Sequence, residues 1–317
     1  MELVEKMLGG GLQPLPRLIT LVEQDSPEVT EIMKAICPYL GNTYSIGITG
    51  PPGGGKSTLV DRLTASARSR GLSVGIVAVD PTSPFSGGAV LGDRIRMQQH
   101  YLDPEVFIRS MATRGSQGGL PATTRSVIKL LDASGKDIIL VETVGVGQTE
   151  LDIMEAVDST IVALVPEAGD NIQTMKAGLM EIADVFVVNK ADRPGADKLI
   201  AELKSMLMLA PRNNQWQPPV LATEAINDVG IEDLYGEIEK HRECLMSSGE
   251  LMHRRREQRK DEFLHAVEQR VRTQITAMME GDSKLMALLK QVEDGEIDPY
   301  SAAEMTAKET IPQWCSA

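Results

Sequence analysis

The segment Gly50-Pro51-Pro52-Gly53-Gly54-Gly55-Lys56-Ser57 has the G-x-x-x-x-G-K-[ST] pattern of a phosphate-binding loop. An apolar run at 44–49 precedes it and predicts a β-strand, while residues 58–63 continue in a helical pattern. Glycines let the backbone curl so that successive N–H groups and a helix N-terminus face a phosphate. Lys56 can then reach the β- and γ-phosphates, and the Ser57 hydroxyl can bind Mg²⁺. The segment therefore predicts a nucleoside triphosphate site, to which a simple glycine-rich turn is the weaker alternative. The predicted phosphate-binding residues are Gly50, Gly53, Gly54, Gly55, Lys56, Ser57 and Thr58.

A second motif indicates which base is bound. A strand-like apolar run at 184–188 ends in Asn189-Lys190-Ala191-Asp192, the N-K-x-D pattern typical of guanine binding. The Asp192 carboxylate can accept hydrogen bonds from guanine N1–H and the N2 amino group, whereas adenine offers neither donor there. Because a hydrogen bond to a charged group contributes about 1.5–3 kcal/mol, losing this pair predicts roughly 10- to 150-fold or more weaker ATP binding. Thr223 and Ala225 follow a strand-like run at 219–221 and are predicted to form a second base-contacting loop.

Acidic residues at the ends of further strands predict the metal site. The apolar run 136–141 leads into Glu142-Thr143-Val144-Gly145, which resembles the D-x-x-G motif with glutamate in place of aspartate. A carboxylate there can hold Mg²⁺ or its water, and Gly145 can offer its N–H to the γ-phosphate. The apolar run 74–79 delivers Asp80 to the same carboxyl edge of the sheet, where ligands bind in open α/β folds. The predicted oxygen ligands of Mg²⁺ are Ser57, Asp80, Asp93 and Glu142; for Asp93 the residues alone leave an exposed loop carboxylate equally open.

Four long motifs resemble those of one known family. They are residues 80–97, Ala112-Thr113-Arg114-Gly115 with Gly118-Gly119, residues 142–148 and residues 188–195. Together they closely resemble the MeaB/ArgK family, P-loop GTPases that act as chaperones of adenosylcobalamin-dependent acyl-CoA mutases. The match extends from residues 18–23 to about residue 240, and more loosely to the end of the chain.

The resemblance implies a homodimeric GTPase that binds such a mutase and gates the transfer of adenosylcobalamin into it. It also implies rescue of the mutase when its cofactor is oxidatively inactivated. By position, it places Arg96 in the first switch, and Asp170 and Lys176 in an additional switch that reports the nucleotide state to the partner. The residues that it implies in catalysis are Lys56, Asp80, Asp93, Arg96, Glu142 and Lys176.

The hydrolytic machinery is predicted to be incomplete without a partner. Gln148 lies three residues beyond Gly145, whereas the water-orienting glutamine of Ras-like enzymes follows that glycine directly. A charge-stabilising arginine is not assigned, although Arg94, Arg96 and Lys176 are candidates. Ras-like GTPases alone turn over at roughly 10⁻⁴ s⁻¹, and a supplied arginine adds about 10³–10⁵-fold. We therefore expect slow intrinsic hydrolysis that the mutase accelerates by ordering the switches.

The pattern along the chain predicts three regions. Residues 1–42 form an N-terminal helical extension, and residues 43–240 form a P-loop G domain of the α/β class, a doubly wound and mostly parallel sheet. Residues 241–317 form a helical arm whose apolar face must be buried, in this family against the second subunit. Within the arm, Asp298-Pro299 predicts a capped helix start, and the basic cluster 254–260 predicts a solvated helix face rather than an anion site.

Composition narrows the class of function. The chain of 317 residues has a formal net charge of −13, which argues against general nucleic-acid or anionic-membrane binding. Its first residues lack the pattern of a secretory or transit signal, and no apolar run has the length of a membrane span. The three cysteines, Cys37, Cys244 and Cys315, form no C-x-x-C pair and are expected to be reduced. These features predict a cytoplasmic protein.

Two other classes of function stay open on the sequence. One is an ArgK-type kinase linked to amino-acid transport, although the chain contains no protein-kinase catalytic loop and no signal that would bring it to a periplasmic substrate. The other is a GTP-dependent metallochaperone, which the scarce cysteines and the four scattered histidines disfavour.

Overall fold

The computed structural model describes residues 1–80, 97–112, 122–143, 152–168, 180–209 and 216–310. The chain divides into two compact units, Met1–Arg255 and Arg256–Ala317. The strands are β1 (Tyr44–Thr49), β2 (Val74–Asp80), β3 (Val106–Ala112), β4 (Ile138–Glu142), β5 (Ser159–Leu164), β6 (Val185–Asn189) and β7 (Val220–Thr223). The helices are α1 (Glu2–Leu8), α2 (Leu15–Glu23), α3 (Val29–Ile36), α4 (Lys56–Ser69), α5 (Ala122–Ala133), α6 (Ala196–Leu209), α7 (Ile231–Ser248), α8 (Glu250–Gly281), α9 (Ser283–Glu293) and α10 (Pro299–Met305).

The first unit is built on a parallel sheet. In the described residues seven strands pair in the order β3-β2-β4-β1-β5-β6-β7, and every pairing between them is parallel. The chain crosses to one side of β1 for β2, β3 and β4, and to the other side for β5, β6 and β7. β1 is therefore the point where the winding reverses, and the crevice beyond its carboxyl end is where doubly wound folds bind ligands. This architecture confirms the predicted fold class.

The strands are apolar runs because both faces of the sheet are covered. All residues of β1, β4, β5 and β6 are buried. On one face, Ile46 and Ile48 pack in a core with Leu59 and Leu63 of α4 and with residues of α7. On the other face, Val141 packs in a second core with residues of α2 and α5.

The N-terminal helices complete that second core. Val4, Leu18 and Ile19 are at most 1% exposed and belong to the same apolar cluster as the strand residues beneath α5. Arg109 on β3 forms an ion pair with Glu23 at the end of α2. The predicted N-terminal helical extension is thus an integral layer of the first unit.

The second unit is helical throughout its described part. Asp282 caps α9, and Asp298 caps α10 by accepting the backbone N–H groups of Tyr300 and Ser301, with Pro299 at the first helical position. The predicted Asp-Pro helix start is therefore confirmed. Along α8, Phe263, Val267 and Val271 recur every four residues and are 65%, 43% and 47% exposed. In the described part of the chain, no helix is both long and apolar enough to cross a membrane.

Candidate functional site

The phosphate-binding loop joins β1 to α4 and needs glycine at two positions in particular. Gly50 has φ +133°, and a Cβ there would lie 2.0 Å from the Ala163 carbonyl oxygen. Gly55 has φ +81°, and a Cβ there would lie 2.2 Å from Asn189 Nδ2. Gly55 caps α4 at its N-terminus, so the N–H groups of the first helical turn face the loop. The loop thus has the backbone form that binds an anion at a helix N-terminus.

Lys56 lies folded over this loop. Its Nζ donates to the carbonyl oxygens of Gly50 at 2.8 Å and Pro51 at 3.0 Å, and the residue is 6% exposed. A phosphate oxygen carries negative charge, so it attracts the ammonium group by a Coulomb interaction that a neutral carbonyl lacks. A phosphate oxygen in the loop would therefore compete well with these neutral carbonyls for the ammonium group.

Ser57 and Glu142 form the described part of the predicted metal site. The Ser57 hydroxyl donates to Glu142 Oε1 at 2.7 Å, and each residue is 5% exposed. Octahedral Mg²⁺ holds oxygen ligands at about 2.1 Å, which places neighbouring ligands about 3 Å apart. The two oxygens are hydrogen-bonded at a separation close to that of neighbouring Mg²⁺ ligands, and a hydroxyl and a carboxylate are ligands that a hard metal takes.

The other predicted Mg²⁺ ligands lie mostly outside the described residues. β2 ends at Asp80 on the same edge of the sheet, two residues beyond Ala78, which pairs with Glu142. The side chain of Asp80 lies outside the described residues, as do Asp93, Arg96, Gly145, Asp170 and Lys176. Within the described residues, no cluster of three or more histidine, cysteine or acidic side chains could hold a metal ion.

Asn189 joins the predicted base-binding segments. Its Nδ2 donates to the Gly54 carbonyl at 2.9 Å, and its Oδ1 accepts from the Thr223 hydroxyl and the Ala225 N–H, both at 3.1 Å. Asn189 is 2% exposed. The structure thus brings together the phosphate-binding loop, the N-K-x-D segment and the 223–225 loop at one edge of the sheet.

The remaining residues of the N-K-x-D segment lie at its surface. Lys190 has φ +57°, an unusual backbone conformation for a residue other than glycine. Asp192 is exposed, so its carboxylate is accessible to a ligand. The Ala191 N–H donates to the Thr223 carbonyl at 3.0 Å, which holds the two base-binding segments side by side.

Arg62 supports the loop that was predicted to contact the base, and sequence reasoning did not identify this residue. Its Nε donates to the Ala225 carbonyl at 3.1 Å from the second turn of α4. Helical spacing within α4 indicates which face Arg62 occupies, but the partner lies 163 residues away in the chain. No local pattern could have identified this contact.

A buried pair of Asp61 and His100 fastens the chain after β2 to the phosphate-loop helix. His100 Nε2 lies 3.2 Å from Asp61 Oδ1 and 3.1 Å from the Asp61 carbonyl oxygen. Burial by itself would lower the pKa of His100, but the hydrogen bonds to Asp61 raise it above the ordinary value. Burial by itself would raise the pKa of Asp61, but the hydrogen bonds from His100 and Gln99 lower it. Both members of the pair therefore stay charged over a wider range of pH than they would at their ordinary pKa values.

The basic cluster 254–260 is only partly a solvated face. Arg254 forms an ion pair with Asp184 at 3.2 Å, and Arg255 bonds both oxygens of Asp158 at 2.8 Å. The side chains of Asp158 and Asp184 are 4% and 5% exposed. The prediction is thus wrong for Arg254 and Arg255, which hold the start of α8 against the amino ends of β5 and β6.

A buried serine, histidine and aspartate lie at that same amino edge. His241 Nδ1 is 2.6 Å from Ser159 Oγ, and His241 Nε2 is 3.4 Å from Asp184 Oδ1. The three residues are at most 4% exposed, and they lie at the opposite edge of the sheet from the phosphate-binding loop. Because the three side chains interact with one another away from the predicted nucleotide site, we interpret the arrangement as fastening α7 to the strands.

Comparisons with known proteins agree with this geometry. A family profile described as methylmalonyl-CoA mutase-associated GTPase MeaB matches residues 15–280. A protein of Pyrococcus abyssi is 51% identical over 313 residues, which cover 98% of this chain and 96% of that protein. The mouse methylmalonic aciduria type A homolog, mitochondrial, is 33% identical over 270 residues, covering 84% of this chain and 65% of that protein. A solved structure of an LAO/AO transport system kinase has a TM-score of 0.72 at 29% identity, covering 97% of this chain and 96% of that chain.

These matches confirm the resemblance drawn from the four motifs and, with it, the assignment of GTP hydrolysis. The profile spans most of the chain, including both the phosphate-binding loop and the N-K-x-D segment. The chain belongs to the MeaB family of methylmalonyl-CoA mutase-associated GTPases.

Proposed function

We propose that this GTPase is a chaperone that gates adenosylcobalamin delivery to an acyl-CoA mutase of the methylmalonyl-CoA mutase type. In this proposal it also protects the mutase or reactivates it after the cofactor is damaged. The observation that carries the proposal is the match of residues 15–280 to a family described as mutase-associated. The mouse relative, named for methylmalonic aciduria, supports the same class of partner.

In the proposed nucleotide site, different elements at the carboxyl edge of the sheet bind the phosphates, the base and Mg²⁺. Lys56 and the N–H groups of the loop bind the phosphates, and Asp192 selects guanine, with Asn189 holding the base-binding segments together. Ser57 and Glu142 would hold Mg²⁺, with Asp80 and Asp93 as further carboxylates. When bound, Mg²⁺ neutralises charge on the β- and γ-phosphate oxygens.

The proposed switches lie in segments outside the described residues. Arg96 and Lys176 are assigned there from the family resemblance, and Gly145 from the pattern that resembles D-x-x-G. The segments that contain Arg96 and Gly145 begin directly after Asp80 and Thr143. Thr143, the first residue after Glu142, leads directly towards Gly145. A bound mutase would speed hydrolysis by fixing the switches around the γ-phosphate.

Homodimerisation through the C-terminal arm is part of the proposal. Phe263, Val267 and Val271 form an exposed apolar stripe on α8. A stripe of this kind on a helix that is otherwise highly charged is suited to packing against a second apolar face.

GTP turnover with candidate partners tests the proposal. The purified chain would be assayed alone and with each of a panel of purified acyl-CoA mutases, with ATP as the nucleotide control. We expect slow hydrolysis of GTP alone, which one mutase accelerates. Hydrolysis that is indifferent to every mutase would refute the chaperone role and leave the GTPase activity intact.

A matched variant shows whether the hydrolysis measured in that assay is carried out by this chain. Asp192→Asn exchanges a carboxylate acceptor for an amide donor and should transfer the preference from GTP to xanthosine triphosphate. In the variant, the same mutase should stimulate hydrolysis of xanthosine triphosphate. Stimulation that persisted only with GTP would show that the measured activity belongs to a contaminating enzyme.

A kinase function is the second candidate because the similar solved structure is that of a protein named as a transport system kinase. Transfer of labelled γ-phosphate from a nucleoside triphosphate to a transport-linked binding protein would support it. Release of all of the label as inorganic phosphate would favour the GTPase chaperone instead.

A further inference from the structure

Two buried hydroxyl groups meet directly beneath the nucleotide site. Thr143 Oγ1 donates to Thr49 Oγ1 at 2.9 Å, and the two residues are 1% and 0% exposed. Thr49 is the last residue of β1 and precedes Gly50 of the phosphate-binding loop. Thr143 follows Glu142, the last residue of β4. The hydroxyl pair therefore joins the starts of the two segments on which the nucleotide site depends.

The pair lies on the opposite face of the sheet from α4. Ile48 of β1 and Glu142 of β4 are register partners, and Ile48 packs in the core beneath α4. Side chains alternate between the faces of a sheet, so Thr49 and Thr143 point to the other face. That face is the one on which Val141 packs with α5. The two hydroxyls thus act from behind the sheet, without meeting the nucleotide.

Among the described residues, the backbone beside the pair is the last point at which the β4 segment is hydrogen-bonded to β1. The Thr143 N–H donates to the Ile48 carbonyl at 3.1 Å, one step beyond the register pair of Ile48 and Glu142. A side-chain bond at this position therefore restrains the carboxyl end of β4, which carries Glu142.

Fold stability by itself does not account for two hydroxyls at this position. A buried pair of hydrogen-bonding groups can be replaced by apolar groups of the same shape with little change in stability. The preceding positions of β4 on this face, Ile139 and Val141, are apolar and fully buried. Among the described residues the two hydroxyls bond each other, so valine at both threonine positions would continue that pattern and remove both partners together.

We infer that Thr49 and Thr143 are positioning residues that hold the Glu142 carboxylate against Ser57, and so prepare the Mg²⁺ site. The bond between the two hydroxyls fixes the end of β4 relative to the entry of the phosphate-binding loop. That restraint maintains the 2.7 Å spacing of the Ser57 and Glu142 oxygens. The inference rests on the proposed Mg²⁺ site.

The test measures the release of a fluorescent GDP analogue as a function of Mg²⁺ concentration. In the wild type, Mg²⁺ should slow release. Thr143→Val should raise the Mg²⁺ concentration needed for half of that effect by roughly 10-fold, the size typical of losing a group that orients a metal ligand. Release in the presence of a chelator should stay as in the wild type, because the residues that bind base and phosphate are unchanged. Thr143→Ser retains the hydroxyl and should behave as the wild type.

The double variant Thr49→Val/Thr143→Val separates positioning from stability. It leaves neither hydroxyl unpaired, so its unfolding free energy should return close to that of the wild type even if Thr143→Val folds poorly. Its requirement for Mg²⁺ should remain raised. Thr64→Val is the matched control, since it removes a fully buried hydroxyl from the middle of α4, where it bonds the Val60 carbonyl at 2.7 Å. This control should leave the Mg²⁺ requirement unchanged.

The outcomes separate this inference from the metal site itself. A double variant that responds to Mg²⁺ as the wild type does would overturn the positioning role while leaving the metal site in place. A Thr64→Val control with the same defect would also overturn it, because the effect would then follow from any lost buried hydroxyl. A wild type whose GDP release is indifferent to Mg²⁺ would overturn the metal site, and the inference with it.

Discussion

Substituting Gly55 with alanine tests whether Asn189 couples the phosphate-binding loop to the predicted base-binding segments. Gly55 has φ +81°, and a Cβ there would lie 2.2 Å from Asn189 Nδ2. The neighbouring Gly53 has φ +76°, but a Cβ there would meet nothing within 4 Å. The two positions therefore share the backbone strain and differ in the clash, so Gly53→Ala is a matched control.

The magnitudes follow from the contacts. Placing alanine in the left-handed region costs about 1 kcal/mol at either position. At Gly55 the Asn189 side chain must also move, which disturbs its bonds to Gly54, Thr223 and Ala225. At about 1 kcal/mol for each bond, Gly55→Ala should be destabilised by about 2–3 kcal/mol more than Gly53→Ala.

Chemical denaturation of the nucleotide-free protein is the assay, because it excludes any direct contact of the new methyl group with phosphate. The affinity of each variant for GDP provides a second measurement. We expect Gly55→Ala to weaken GDP binding strongly, since the loop and the base-binding segments are disturbed together. Equal unfolding free energies for the two variants would refute the argument that Asn189 couples the two segments.

Three other predictions concern the base, the buried histidine and the arm. Asp192→Asn should lower the affinity for GTP by at least about 10-fold and favour xanthosine triphosphate, and unchanged GTP binding in a competition assay would contradict the base assignment. The raised pKa of His100 contributes stability that is complete below its ordinary pKa of 6.5 and is lost as pH rises through the raised value. The lowered pKa of Asp61 contributes stability that is complete above 3.8 and is lost as pH falls through the lowered value. The unfolding free energy of His100→Gln should therefore fall furthest below that of the wild type between about pH 4 and 6.5. If denaturation experiments give the same difference at every pH, the ion pair is contradicted. Asp158→Asn should cost about 3 kcal/mol of unfolding free energy because Arg255 loses its charged partner, whereas the exposed Arg259→Ala should change it by less than about 0.5 kcal/mol; a similar loss in both variants would contradict the role of the pair.

The sequence predicted the central part of the molecule because its signals are local. The glycine pattern before Lys56, the N-K-x-D segment and the apolar strands each depend on residues close together in the chain. Since parallel strands bring their carboxyl ends to one edge, the order of the motifs was sufficient to place Ser57, Glu142 and Asn189 in one region. The capped helix start at Asp298-Pro299 was predictable for the same reason.

Contacts between distant parts of the chain could not be predicted in this way. The charges of Arg254 and Arg255 suggested a solvated face, yet their partners at 184 and 158 lie at the ends of buried strands. The base-loop support from Arg62 likewise joins segments that are far apart in the chain. A pattern of residue types reports which face of an element is apolar, but it does not report which distant group that face meets.

The class of fold, the nucleotide chemistry and the family were all readable from the amino-acid sequence, because they depend on short motifs whose backbone requirements are local. How those motifs are held together emerged from the folded chain alone: Asn189 bridges two loops, and the Thr49 and Thr143 hydroxyls pair behind the proposed metal site. This division arises because a buried polar group must find a partner wherever the fold places one. That partner is set by the register and packing of the whole sheet, which no single segment of the chain encodes.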